Sequence, residues 1–208
     1  MTDLTTLQLA IEQGDRAAAV RITQAAIDDG TDPRSTLDAM TAAMNVVGTR
    51  YQCNEIYIPE MLIAARAMKE ATAVLEPLLV AANIQPLAVA VLGTVKGDLH
   101  DIGKNLVGMF WRGANIAVVD LGANVTPDQF VSAAKEQGAR IVGVSALLTT
   151  TMIGMRDVVT AVRAAGLTDV KVIVGGAPVT PEFAREIGAD GYAADAGSAA
   201  EIIKALLS

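Results

Sequence analysis

The sequence predicts an α/β protein in two parts, a helical bundle over residues 1–85 and a five-stranded, parallel, doubly wound sheet over residues 86–208. Three observations carry this. From Leu4 to about Asn83, apolar residues recur at helical spacing in a stretch rich in Ala, Leu and Met, as in Leu37, Met40, Met44, Val47 and Tyr51. After Gln85-Pro86, short β-branched runs alternate with amphipathic stretches. The breaks between elements also carry turn and cap chemistry at the places the periodicity requires.

In order along the chain, breaks at Gly14-Asp15, at Asp29-Gly30 to Pro33, and at Asn54 to Pro59 divide the first half into four helices, 4–12, 15–28, 33–51 and 59–82. Pro33 and Pro59 suit first helical positions, where a missing N–H costs nothing. Four such helices make a small bundle. In the second half the strands are 87–93, 116–121, 139–145, 170–176 and 190–194, with helices near 103–112, 127–137, 152–165, 181–187 and 198–207. Thr126-Pro127 and Thr180-Pro181 each offer an N-cap followed by proline. The continuously apolar strands imply a sheet covered on both faces. A five-stranded sheet of this flavodoxin-like or Rossmann-like kind commonly takes the order 2-1-3-4-5, with its switch point between strands 1 and 3. Ligands then bind above the carboxyl ends, which nominates the loops after 93, 145 and 176.

Composition narrows the function. With 52% apolar and 19% charged residues the chain can bury one generous core or two modest ones. No apolar run reaches the ~18 to 20 residues of a membrane span, and the start MTDLTTLQLAIEQGD lacks a secretory signal. The expectation is a cytoplasmic protein without a membrane partner. The single cysteine, Cys53, excludes an internal disulfide and any multi-cysteine metal site, and it is expected to be a small buried residue. A formal charge of −7 argues against a nucleic-acid partner, because phosphate neutralisation needs clustered Lys and Arg.

The first nominated loop, Gly93-Thr94-Val95-Lys96-Gly97-Asp98-Leu99-His100-Asp101-Ile102-Gly103, holds the protein's one histidine. Ten residues separate Gly93 from a helix expected near Lys104, whereas such connections usually take ~2 to 6. A lone histidine is ordinarily a satisfied core or surface residue. Here it lies between Asp98 and Asp101 in a glycine-bounded loop at the ligand edge. A phosphate loop fails, since Gly97 and Gly103 enclose five residues and Lys104 is followed by Asn105. A dinucleotide fingerprint fails too, because no G-x-G-x-x-G follows strand 1. What remains is an imidazole two residues from a carboxylate able to fix its tautomer. One imidazole cannot hold a bare metal ion, but it suffices as an axial ligand to a metal whose other positions a macrocycle fills.

Asp98-x-His100-x-x-Gly103, 41 residues (104–144), Ser145-x-Leu147, 27 residues (148–174) and then Gly175-Gly176 resemble the D-x-H-x-x-G…S-x-L…G-G signature of cobalamin-binding domains. Tyr51 and Ile56-Tyr57-Ile58-Pro59-Glu60 resemble the cap region of methionine synthase and of corrinoid proteins from methanol, methylamine and aryl-ether demethylating systems. The resemblance spans nearly the whole chain.

It implies a cobalamin or related corrinoid bound base-off, with His100 as the cobalt ligand and Asp98 and Thr151 as the relay behind it. Thr151 stands where methionine synthase has Ser, a departure that keeps the hydroxyl. The cofactor would also meet Gly97, Leu99, Asp101, Ile102 and Gly103. Ser145 and Leu147 would line the slot for its tail, with Gly175 and Gly176 allowing close approach, and Thr149 would also meet the cofactor. Tyr51 and Ile58 would shield the methyl group. No catalytic residue beyond ligation is expected, and the chain reads as a carrier subunit, not an enzyme acting alone. The implied partners are a substrate:corrinoid methyltransferase, a second methyltransferase with tetrahydrofolate or a thiol as acceptor, and a reductive activase. A cobalamin-dependent sensor is the alternative; it should append a DNA-binding or signalling domain, which the sequence does not suggest. A mutase subunit would usually lack the helical cap. A receiver domain would want clustered acidic residues after strand 1 and a Lys after strand 5, which are not evident.

Overall fold

A computed structural model describes residues 2–207. The chain folds into two compact units: one runs to Pro86 and takes in Gly113–Asn115, and the other comprises Leu87–Arg112 and the remainder from Ile116.

The first unit contains α1 (Leu4–Glu12), α2 (Arg16–Asp28), α3 (Pro33–Gln52) and α4 (Ile58–Ala81). Asp3, Asp15 and Asp32 cap the first three by accepting from Thr5, Ala18 and Ser35 N–H. α4 begins one residue before the expected Pro59, because the Glu60 carboxylate turns back to accept the Tyr57 N–H at 3.0 Å. Proline therefore occupies the second helical position, where its missing N–H is equally harmless. The expected stripe is the core: Leu37, Met40, Met44 and Val47 are buried, with Leu7, Ile11, Met61 and Leu75 on neighbouring helices.

The second unit is a parallel sheet of β1 (Ala88–Thr94), β2 (Ile116–Asp120), β3 (Ile141–Ser145), β4 (Lys171–Gly175) and β5 (Gly191–Ala193), in the order β2-β1-β3-β4-β5. It carries α5 (Ile102–Gly113), α6 (Pro127–Glu136), α7 (Gly154–Ala164), α8 (Pro181–Glu186) and α9 (Ala196–Leu207). Strand alternation decides which face each residue meets. Val91, Val142, Val144, Val172 and Val174 pack with Phe130, Met155, Val158 and Val162. On the opposite face Trp111 from α5 lies over Gly143 and donates its Nε1–H to the Ala199 carbonyl at 3.0 Å.

The register aligns Leu92 with Gly143 and Thr94 with Ser145, and Ser145 with Gly175. Three strands thus end in one row, at the switch point. Among the described residues no helix is long and apolar enough to cross a membrane.

A Cβ on Gly143 would stand 2.4 Å from Trp111 and 2.7 Å from Leu92. Gly143→Ala must therefore displace the indole, and we expect a loss of about 1–3 kcal/mol of stability, read as a lower urea midpoint; an unchanged midpoint would contradict the packing described.

Candidate functional site

The loop between β1 and α5 spans residues 95–101. It is shorter than the ten residues expected, since β1 runs on to Thr94 and α5 starts at Ile102. Gly97, with φ +83°, supplies its sharp bend. The loop is fastened where Val95 N–H donates to Ser145 O at 3.0 Å and Asp98 N–H to Val95 O at 3.1 Å.

Asp98 is fully buried, and its two oxygens divide the work. Oδ1 accepts the His100 backbone N–H at 3.0 Å and faces the ring Nδ1 at 2.7 Å. Oδ2 accepts Leu147 N–H at 2.8 Å, Leu148 N–H at 3.4 Å and the Thr151 hydroxyl at 2.7 Å. Thr151 Oγ1 also lies 3.0 Å from Leu148 O, but its single proton serves the shorter, charge-assisted bond. Burial alone would raise the Asp98 pKa. The bonds from Thr151, Leu147 and His100 outweigh it and hold the carboxyl well below the usual carboxylate range. An ionised carboxylate can only accept, so Nδ1 carries the ring proton and Nε2 is left as the basic nitrogen. The ring's side chain is 52% exposed.

The structure therefore joins Asp98, His100, Leu147 and Thr151 into one network across the ends of β1 and β3. The other nominated residues divide. Leu99, Ile102 and Leu147 present exposed side chains, at 76%, 75% and 43%, and Thr149 is exposed in the turn before α7. Asp101 addresses α5, accepting from the Asn105 amide at 3.0 Å and from its backbone N–H at 2.8 Å. Gly103 lies in the first turn of α5 with open space at its Cβ position. Ser145 ends β3. The absence of Cβ atoms at the glycine pair is accounted for by the chain's own backbone: a Cβ would meet Ala193 O at 2.7 Å from Gly175, and Ala146 O at 1.9 Å from Gly176, whose φ is +133°. Tyr51 is half-buried in the last turn of α3, and Ile58, 39% exposed, opens α4. Cys53 is exposed, contrary to expectation, because it falls at the C-terminal cap of α3, past the last turn that packs into the core.

Sequence reasoning missed two features. Lys104 is buried and bonds both Asp120 oxygens at 2.6 and 2.7 Å and Asn105 Oδ1 at 2.6 Å. Asn124, in the loop after β2, has φ +58° and reaches the histidine loop with both its backbone and its side chain. The signals were an Asp closing an apolar strand, and an Asn just before the Thr-Pro cap, a residue type that tolerates positive φ.

The B12 binding domain family matches residues 88–201, and a second B12 binding domain family matches residues 4–76. The chain is 39% identical to a corrinoid protein of Desulfitobacterium hafniense (strain Y51), over 100% of this chain and 98% of that one. It is 43% identical to dimethylamine corrinoid protein 3 of Methanosarcina acetivorans, over 81% of this chain and 79% of the relative. Among solved structures, a chain of the methanol:cobalamin methyltransferase complex from Methanosarcina barkeri superposes with a TM-score of 0.86 at 29% identity, covering 98% of this chain and 79% of that chain.

The buried carboxylate makes stability pH-dependent. An aspartate whose folded pKa lies below its unfolded value near ~3.9 contributes stability that is complete above that value and is lost as pH falls below it. Asp98→Asn removes this contribution and leaves N–H donors facing an amide nitrogen or a weaker acceptor. The expected cost near neutral pH is roughly 1–3 kcal/mol, with a flatter decline below about pH 4 than the parent shows. Urea unfolding of the unloaded protein between pH 7 and pH 2.5 measures both, and parallel curves for the two proteins would refute the assignment.

Proposed function

We propose, for a chain that belongs to the family of B12-binding corrinoid proteins, that His100 ligates the corrinoid's cobalt and that the protein carries a methyl group between partner methyltransferases. The observation that carries the reading is the Asp98–His100 pair at the carboxyl edge of the sheet, its Nδ1 tied down and its ring half-exposed. The surroundings fit a large, partly apolar macrocycle: Leu99, Ile102, Leu147, Leu148 and Ile153 all present exposed side chains on the two segments that meet at Asp98. A bare metal ion is a poorer fit, since among the described residues no three His, Cys, Asp or Glu side chains gather to hold one.

When bound, the corrinoid cobalt supplies the centre that accepts and gives up the methyl group. The chain supplies ligation and orientation. Asp98 fixes the imidazole tautomer so that Nε2 is the nitrogen left for the metal, and Thr151 steadies Asp98 in turn. We assign the cofactor's tail, base-off, to the ends of β3 and β4, beside Ser145, Leu147, Thr149, Gly175 and Gly176. The assignment of Tyr51 and Ile58 to shielding the methyl group rests on the resemblance of the 51–60 segment.

The partners of this reading are a substrate:corrinoid methyltransferase, a second methyltransferase delivering to tetrahydrofolate or a thiol, and a reductive activase, all in the cytoplasm. Support for methyltransferase partners comes from the similarity to a chain of the methanol:cobalamin methyltransferase complex and to dimethylamine corrinoid proteins.

Reconstitution with methylcobalamin should give a red, histidine-ligated absorbance spectrum. His100→Gly should lose that spectrum yet retain part of the corrinoid through its tail, and Asp98→Ala should weaken axial ligation by about 10–100-fold. A spectrum unchanged by His100→Gly would remove the ligand assignment. Transfer of a labelled methyl group to an acceptor only when a partner methyltransferase is added tests the carrier role.

A further inference from the structure

The imidazole's partners in the relay hold its ring, but a ligand must also be held by its backbone, and that task falls to residues outside the relay. Asn124 grips the histidine loop twice. Its Oδ1 accepts the Gly97 N–H at 2.8 Å, and its own backbone N–H donates to Asp98 O at 3.0 Å. The positive φ of 58° is what lets one residue turn both groups toward the same neighbour. Past the imidazole in the chain, the His100 carbonyl accepts the hydroxyl of the fully buried Thr94 at 3.0 Å.

Neither anchor is itself loose. Thr94 N–H donates to Gly122 O at 3.0 Å and Thr94 O accepts Val125 N–H at 2.9 Å, so β1 and the loop after β2 are laced together. That second loop is braced by Asp120, which accepts the Gly122 N–H at 2.9 Å and is held by the buried Lys104. The carbonyl of His100 is thus referenced to the sheet, and Gly97 and Asp98 to a braced loop.

We propose that Asn124 and Thr94 are positioning residues that set the strength of the bond between His100 and the corrinoid cobalt, by fixing the backbone on both sides of the imidazole before the cofactor arrives. The inference rests on the reading of His100 as the ligand. A pre-ordered loop loses less freedom on ligation than a free one, and that difference appears as a tighter axial bond. Loss of one such hydrogen bond should cost roughly tenfold in the histidine-on equilibrium. If the imidazole is released on reduction to cobalt(I), a weaker bond from His100 to cobalt(II) would make that reduction easier. A tenfold weakening raises the one-electron midpoint potential by ~59 mV.

The test uses the full chain reconstituted with cobalamin. Electron paramagnetic resonance of the cobalt(II) form reads the nitrogen splitting from the imidazole, and potentiometry reads the cobalt(II)/cobalt(I) couple. Asn124→Gly keeps the positive φ without strain while removing the side-chain acceptor and loosening the backbone that holds the loop. Thr94→Val removes only the hydroxyl, and Thr94→Ser restores it. Asn124→Gly and Thr94→Val should lose part of the nitrogen splitting and raise the potential, while Thr94→Ser stays with the parent protein. Should Thr94→Val fail to fold, Asn124→Gly at the exposed position decides alone. Parent-like splitting and potential in the folded variants, with splitting abolished in His100→Gly, would overturn the positioning role and leave the ligand reading intact. Absence of imidazole splitting in the parent protein itself would overturn both.

Discussion

A fully buried carboxylate is tolerable only when donors surround it, and the site depends on how Asp98 meets that demand. Its donors come from its own loop and from the segment after β3: the His100 backbone and ring on one oxygen, and Leu147, Leu148 and Thr151 on the other. Because the charge must be satisfied from all of them, the two segments cannot drift apart without exposing an unpaired anion to an apolar interior. The same demand orients the imidazole. Tautomer, ring direction and loop closure are consequences of one burial.

The sheet order makes this convergence available. At the switch point β1 and β3 are neighbours whose crossovers leave to opposite faces, so the loops after them lie side by side at the carboxyl edge before their helices diverge. The register puts Thr94 opposite Ser145, so the histidine loop and the 146–151 segment leave the sheet at the same height. Gly143 matters in this light although it touches nothing in the site. A larger residue there would shift Trp111 and Leu92, and Leu92 lies on β1, two residues before the strand gives way to the histidine loop. The dry valine-rich layer on the opposite face holds β1, β3 and β4 in register from the other side.

Much of this was legible in the residues themselves. Element boundaries agreed to within one or two residues wherever a cap or a proline marked them, as at Asp32-Pro33, Thr126-Pro127 and Thr180-Pro181. The strand order followed from five apolar runs alternating with helices, and the Asp98, His100, Thr151 set from spacing that resembles a known family. What escaped depends on through-space geometry with no local pattern. The union of Lys104 with Asp120 links residues 16 apart across an α5–β2 connection, and the Asp that closes β2 gives no local sign of which cation meets it. Asn124 reads locally as a turn residue, and its bond to Gly97 spans 27 positions. At Gly175 and Gly176 the chain's own Ala193 and Ala146 carbonyls occupy the space a Cβ would need, a packing constraint that no local pattern shows. Cys53 shows the opposite failure, an apolar residue assigned to a core that ends one turn earlier.

The exposed apolar side chains complete the physical account. Leu99 and Ile102 lie three-quarters exposed beside a histidine whose partner carboxylate is fully buried. Folding alone offers no reason for that pairing, because the residues that hold the loop shape are Asp98, Gly97 and Asn124, and polar residues at 99 and 102 would serve the loop equally well. Leu147, Leu148 and Ile153 repeat the pattern on the facing segment, where the backbone of 147 and 148 serves Asp98 while the side chains turn outward. Each of these segments therefore does two separable jobs: its main chain and polar groups satisfy a buried charge, and its side chains hold apolar surface in reserve. Burial of that reserve by a macrocycle yields about 25 cal/mol for every Å² removed from water, and ligand-linked stabilisation of the folded chain follows by mass action. Affinity for the corrinoid can thus be tuned at the leucines and isoleucines without disturbing the network that aims the ligand.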